Sequence, residues 1–181
     1  MKSYLSTIAL LLIGIVSFSY SGEFKVKPDV YRNWHHVKSM VIFDEKHPLY
    51  NPFNGIHHVY VNDKGLNSIK NQNNRKFPDG TKIAIVFYEH VNSNGAFIEG
   101  AKRIEAFMVK DSKKFKSTDG WGYYGYDGNG KNLIKDMSKD CHSCHMQAKD
   151  KDFVFSIWTK WYDRPFSKWE GLFFHKKLIY I

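Results

Sequence analysis

The chain has 181 residues, 43% of them apolar and 25% charged, with 14 Phe, 11 Tyr and 5 Trp. This suffices for one domain with a real core and excludes both a multidomain machine and a generally disordered chain. The formal net charge of +9 fits nucleic acid, an anionic membrane or an acidic redox partner, but the basic residues are scattered and read first as solvated surface.

The chain opens MKSYLSTIALLLIGIVSFSYSG. Lys2 supplies a positive start, an apolar run follows from Leu5 to Phe18, and Ser19 and Ser21 are small residues at the spacing a signal peptidase needs. Glu23 and Lys25 follow too soon for a comfortable membrane span, so residues 1–21 read as a cleaved signal, with an uncleaved anchor as the alternative. No cysteine follows the run to carry a lipid. The leader contains Lys2 and no acid, so its removal lowers the charge by one, to +8. The expectation is a soluble, exported, periplasmic protein, which disfavours nucleic acid as a partner.

After the leader, Asp29 followed by Val30, Trp34 and Val37 predicts a short helix over 30–37. Pro48, Pro52 and Gly55 predict loop over 41–55, and residues 56–61 alternate as a half-buried strand does. Asn62-Asp63 should cap a helix over 64–71, and Pro78-Asp79-Gly80 should turn into a strand over 82–89. A further strand is expected over 104–109 and a last one from Gly120-Trp121-Gly122 to Tyr126. A helical stretch over 133–148 ends the domain. Strands before helix predict an α+β class with an antiparallel sheet.

Within that helical stretch stands Cys141-His142-Ser143-Cys144-His145. Two cysteines in all exclude a multi-bridge scaffold and a four-thiolate zinc site. The C-x-x-C-H spacing is what covalent haem attachment needs: two thiols one helical turn apart reach two vinyl groups, and the adjacent imidazole turns onto the iron. A disulfide between Cys141 and Cys144 would close too small a loop to constrain much. A thioredoxin-like pair would want a βαβ setting that the pattern lacks. Zinc could take both thiolates and both histidines, but four ligands on one turn do not easily surround one ion. Haem c is therefore the expected cofactor, held by Cys141 and Cys144, with His145 as the metal ligand.

Other segments join the motif: Tyr31-Arg32-Asn33-Trp34 with Val37-Lys38, His57-His58-Val59-Tyr60-Val61-Asn62, Phe77-Pro78-Asp79-Gly80-Thr81, Met108-Val109-Lys110-Asp111, Gly120-Trp121-Gly122, and Asp152-Phe153-Val154-Phe155 after the cysteines. In this order the chain resembles the cytochrome P460 family, which includes the cytochromes c′-beta, over about residues 30–156. The resemblance implies a five-stranded antiparallel sheet with a few helices, a haem c in a mostly apolar pocket, and histidine as the only protein ligand to iron. It also implies a choice of function. One branch oxidises hydroxylamine and nitric oxide with a lysine joined to the haem edge, and the other binds gases beneath phenylalanines.

The family lysine is expected on the strand after Asp79-Gly80-Thr81, where this chain has Ile83, Ile85 and Phe87 on one face and Lys82 on the other. Ile85 and Phe87 are thus the expected pocket residues, with Phe87 either a cap over iron or ordinary core. Ahead of Cys141 stand Asp136, Met137 and Asp140, none of which matches the family's glutamate. These readings favour a ligand-binding protein for nitric oxide or a similar diatomic. A hydroxylamine or nitric oxide oxidase and a simple electron carrier are the alternatives, and catalytic residues are not assigned. His57 and His58, neighbours on a strand, face opposite sides and cannot both reach one iron. Met40, Met108 and Met137 read as core rather than sixth ligands, Met146 lies on the wrong side of the ring, and Trp34 and Trp121 read as packing. Domain limits are 1–21 for the signal, 22–156 for the haem domain and 157–181 for an extension carrying Trp158, Trp161, Phe166, Trp169, Phe173 and Phe174. The extension reads as a flap packing on its own domain, with membrane-surface or partner contact as the alternative. A redox protein and a second copy of the chain are the macromolecular partners kept in view.

Overall fold

The alternating segments assemble into one five-stranded antiparallel sheet, β1 (His35–Ile42), β2 (Gly55–Val61), β3 (Lys82–Ser93), β4 (Ala96–Lys110) and β5 (Trp121–Asp127), in the order β1-β2-β3-β4-β5. The structure is a computed structural model that describes residues 29–158, so the signal expected over 1–21 and all of the extension past Trp158 lie outside the described residues. Two short helices, α1 (Tyr50–Phe53) and α2 (Asp63–Lys70), interrupt the meander, and a helical stretch over 138–151 follows it. The class is α+β, as the strand-then-helix pattern predicts.

Each sheet face has its own core. On one face Val37, Val59, Val61, Ile83, Met108, Trp121 and Tyr123 pack with Ile69 of α2 and with Phe77, Phe153 and Val154. On the other, Ile56, Ala84, Val86, Tyr88 and Phe107 pack with Tyr31. Most of these side chains are more than nine-tenths removed from water, which is worth about 1.5–3 kcal/mol for each large apolar one.

The expected helix over 30–37 is not formed. A single 3-10 turn, Val30–Asn33, gives way at Trp34 to β1. Asp29 sits at φ 59° without a side-chain cap, so nothing fixes a helix start. Val30 and Trp34 pack on one sheet face and Val37 on the other, so their spacing of four and three is not that of one helical stripe. The expected loop over 41–55 instead holds the end of β1 and the single turn of α1.

Elsewhere the local signals hold. The Asn62 side chain accepts from Gly65 N, and the same oxygen accepts from Lys82 N at 2.9 Å, tying the start of α2 to the start of β3. The strand expected over 104–109 is much longer, because β3 and β4 pair out to Ser93 and Ala96 around Asn94-Gly95. Both turn residues have positive φ, 51° and 82°, the conformation in which Asn-Gly closes a two-residue hairpin.

The helical stretch starts at Ser138 rather than at 133. Asp140 accepts from the backbone N–H groups of Lys135 and Asp136, and Asp136 from that of Ser138, and such local bonds hold the chain out of a helix. Leu133 N meanwhile donates to Gly125 O at 2.8 Å, folding this connection back over β5.

Candidate functional site

The stretch over 138–151 begins as a π-turn (Ser138–His142), continues as one α-turn (Ser143–His145) and tightens to 3-10 (Met146–Lys151). A spacing of three puts Cys141 and Cys144 on neighbouring turns of one side. Both are free thiols, Cys141 half-buried against the core cluster and Cys144 exposed. Burial, reinforced by nearby Asp140, pushes the Cys141 thiol up to about 11. At neutral pH it is protonated, unlike the depressed thiol of a disulfide-exchange pair.

His145 Nδ1 lies 2.7 Å from Phe153 O, so Nδ1–H donates to the carbonyl and the lone pair stays on Nε2. Burial lowers the pKa of the ring and keeps it neutral. Tyr123 and Phe155 flank the ring, each with its centroid 5.0 Å away. A neutral imidazole whose Nδ1 is tied to a carbonyl is in the metal-ligating form.

The other histidine of the motif is engaged elsewhere. The buried Tyr123 hydroxyl donates to His142 Nδ1 at 3.0 Å, and His142 Nε2–H donates to Asp119 Oδ2 at 3.0 Å. Burial raises the Tyr123 pKa, so this phenol stays a donor. With His142 so committed, the zinc alternative loses a ligand, and among the described residues no three His, Cys, Asp or Glu side chains form a metal-holding group.

The sheet face toward this stretch is apolar along its middle strands. Ile83, Ile85 and Phe87 of β3 face it, opposite Met108, Ala106 and Ile104 of β4 and Val61, Val59 and His57 of β2. Ile85 packs against the same core cluster as Cys141, which unites one expected pocket residue with the motif. Phe87 is buried further along the strand, stacked on Phe53 at 5.3 Å and against His57 at 4.4 Å. Ile85 and Ala106, mid-strand, are only half-buried, whereas Ala84, Val86 and Phe107 behind them are buried. Lys38 of edge strand β1 pairs with Val59 and shares this face.

His57 and His58 separate as alternation requires. His58 bonds Ser39 at 2.7 Å and pairs with Glu99 on the far face. His57 is 1% exposed, and its Nε2–H donates to Phe53 O. Its Nδ1 has no hydrogen-bond partner among the described residues. Burial drives its pKa down to about 4, so it is neutral. Met108 is core, Met137 packs against that core, Met146 is exposed, and Trp121 is fully buried.

Three site features escape the sequence-based expectations: the Phe153 carbonyl on His145, the Tyr123–His142–Asp119 chain, and Asp152. The segment Asp152-Phe153-Val154-Phe155 stands out as a motif, but its role depends on backbone angles that no residue type signals.

The donor set fits a porphyrin held through two thioethers and one imidazole. Two free thiols one turn apart, a neutral histidine with Nε2 available, and a half-buried apolar sheet face supply what such a group needs. A family model, Cytochrome P460, matches residues 28–156. No curated protein matches the chain.

Proposed function

The chain belongs to the cytochrome P460 family, whose members carry c-type haem, and on that premise we propose that it is an exported monohaem protein that binds small uncharged ligands such as nitric oxide. In this reading Cys141 and Cys144 carry the porphyrin and His145 is the only protein ligand to iron. When bound, the haem supplies an iron with one unfilled coordination position.

The observation that carries the reading is the make-up of the β3 and β4 face: Ile83, Ile85 and Phe87 against Met108, Ala106 and Ile104. Such side chains exclude water and offer neither charge nor hydrogen bond to a polar ligand, so they favour a neutral diatomic. Phe87 is assigned as a pocket wall that limits ligand size.

Hydroxylamine oxidation has less support. The reaction must shed protons, and a missing acceptor costs roughly 10²- to 10⁴-fold in rate. His57, whose ring lies 4.4 Å from that of Phe87, is held at about 4 by burial. At pH 7 it is roughly a thousandfold too weak as a base for the task. An electron carrier would need a second axial ligand. Met108 is committed to the core, Met137 packs against it and Met146 is exposed, which leaves half-buried Met40 of β1, paired with His57, as the methionine to check.

The experiment is stopped-flow mixing of the ferrous protein with nitric oxide and of the ferric protein with hydroxylamine plus an electron acceptor, alongside a tryptic map of the haem peptide. Nitric oxide binding without steady hydroxylamine turnover is expected, with a high-spin ferrous spectrum. Sustained turnover, or a lysine cross-linked to the porphyrin with Lys38 the first to check, overturns the reading in favour of the oxidase. A sharp low-spin spectrum in both oxidation states overturns it in favour of electron transfer.

A further inference from the structure

The chain turns sharply just past the helical stretch, and two consecutive non-glycine residues adopt left-handed backbone there: Asp152 at φ 51° and Phe153 at φ 64°. Crowding of Cβ against the carbonyl disfavours this conformation for each, the more so for a bulky phenylalanine, and it persists only where the surroundings over-determine it.

The Asp152 carboxylate is what over-determines it. Oδ2 accepts from Phe77 N at 2.8 Å, and Oδ1 accepts from Lys110 Nζ at 2.9 Å and Trp121 Nε1 at 3.4 Å. One side chain thus ties the turn to the approach to β3, the end of β4 and the start of β5. The strap that follows is pinned from the same side, because buried Arg75 donates to Val154 O at 3.1 Å and Ser156 O at 2.8 Å. Between these anchors Phe153 N donates to Ala148 O at 2.8 Å, and Phe153 O receives the His145 Nδ1 proton.

We propose that Asp152 is a positioning residue for His145: it holds the strained turn that aims the Phe153 carbonyl at Nδ1, and so sets how strongly the imidazole donates through Nε2. This rests on His145 being the iron ligand. A carbonyl accepting from Nδ1–H raises the basicity of the far nitrogen. Without the carboxylate, Phe77 N and Trp121 Nε1 lose this acceptor, Lys110 Nζ is left with Asp119 O, and the turn relaxes toward ordinary backbone angles, swinging the Phe153 carbonyl off the ring.

The test uses the full chain, haem-loaded in a host with c-type maturation, as wild type, Asp152→Asn, Asp152→Ala and Lys110→Met. Two readouts report the histidine itself: the ferrous iron–histidine stretching band in resonance Raman, and solvent exchange of the hyperfine-shifted Nδ1 proton in the ferric protein. Asp152→Ala should lower the stretching frequency and speed exchange by at least about tenfold. Asp152→Asn, which can still accept from Phe77 N, should do the same to a smaller degree. Lys110→Met removes one partner and leaves the carboxylate, so it should move both readouts least. A folded, haem-loaded Asp152→Ala with the wild-type band and exchange rate overturns the proposal. If that variant does not fold, a wild-type band and exchange rate in Asp152→Asn overturns it instead. A wild-type protein with no iron–histidine band overturns the axial assignment of His145, a failure distinct from unshifted bands in the variants.

Discussion

Replacing His57 with phenylalanine should flatten the acid side of the stability profile. His57 is 1% exposed, and burial holds its folded pKa at about 4, against about 6.5 in an unfolded chain. The fold therefore binds the neutral ring, and between those two values the unfolded chain takes up a proton that the folded one refuses. Stability from this group is complete above about pH 6.5 and is lost as pH falls toward 4. Between pH 7 and pH 4.5 the loss amounts to roughly 2.4 kcal/mol, and to about 3.4 kcal/mol for the whole interval. Urea unfolding of the haem-loaded protein at both pH values, for wild type and His57→Phe, measures the difference. The variant leaves Phe53 O without its donor, so it should be less stable at pH 7 by about 1 kcal/mol. What decides the matter is the change with pH: the wild type should lose roughly 2 kcal/mol more than the variant on acidification. Equal losses in the two proteins would refute the claim that His57 is buried neutral, whatever their absolute stabilities.

Denatured wild type should keep its haem colour and Cys141→Ala with Cys144→Ala should lose it; retention of covalent haem by the double variant would remove the basis for the cofactor. His145→Ala should abolish the native iron spectrum while His57→Phe and His58→Ala leave it nearly unchanged, as absorbance of the purified proteins will show. Tyr123→Phe should cost about 1–2 kcal/mol, because it strands the His142 Nδ1 lone pair in a buried site. Asp119→Asn should cost less than about 1 kcal/mol, since Asp119 is half-exposed and water can replace its bond. Thermal unfolding ranks the last two, and the reverse order would mean that the chain is held from its surface end.

The sequence by itself determined whatever depends on neighbours along the chain. The C-x-x-C-H spacing places two thiols and an imidazole within one turn regardless of the fold. Strand alternation divides Ile83, Ile85 and Phe87 from Lys82, and separates His57 from His58, before any partner strand is known. The Asn62 cap is equally local, and so is the Asn94-Gly95 signal that would have extended β4 to its full length.

Tertiary structure alone decided the rest, because it depends on partners distant in the chain. Val30, Trp34 and Val37 carry helical spacing, yet pairing of β1 with β2 outweighs a helix without a cap and sends them to opposite faces. Register, not composition, brings Lys38 onto the face of Ile85 and Ala106. The polarity of His57 is set by Phe53 and Phe87 closing over it, which no property of the residue foretells. Asp152 is the extreme case: its carboxylate gathers donors from residues 77, 110 and 121 around a backbone that L-residues avoid, and only their convergence makes that conformation affordable.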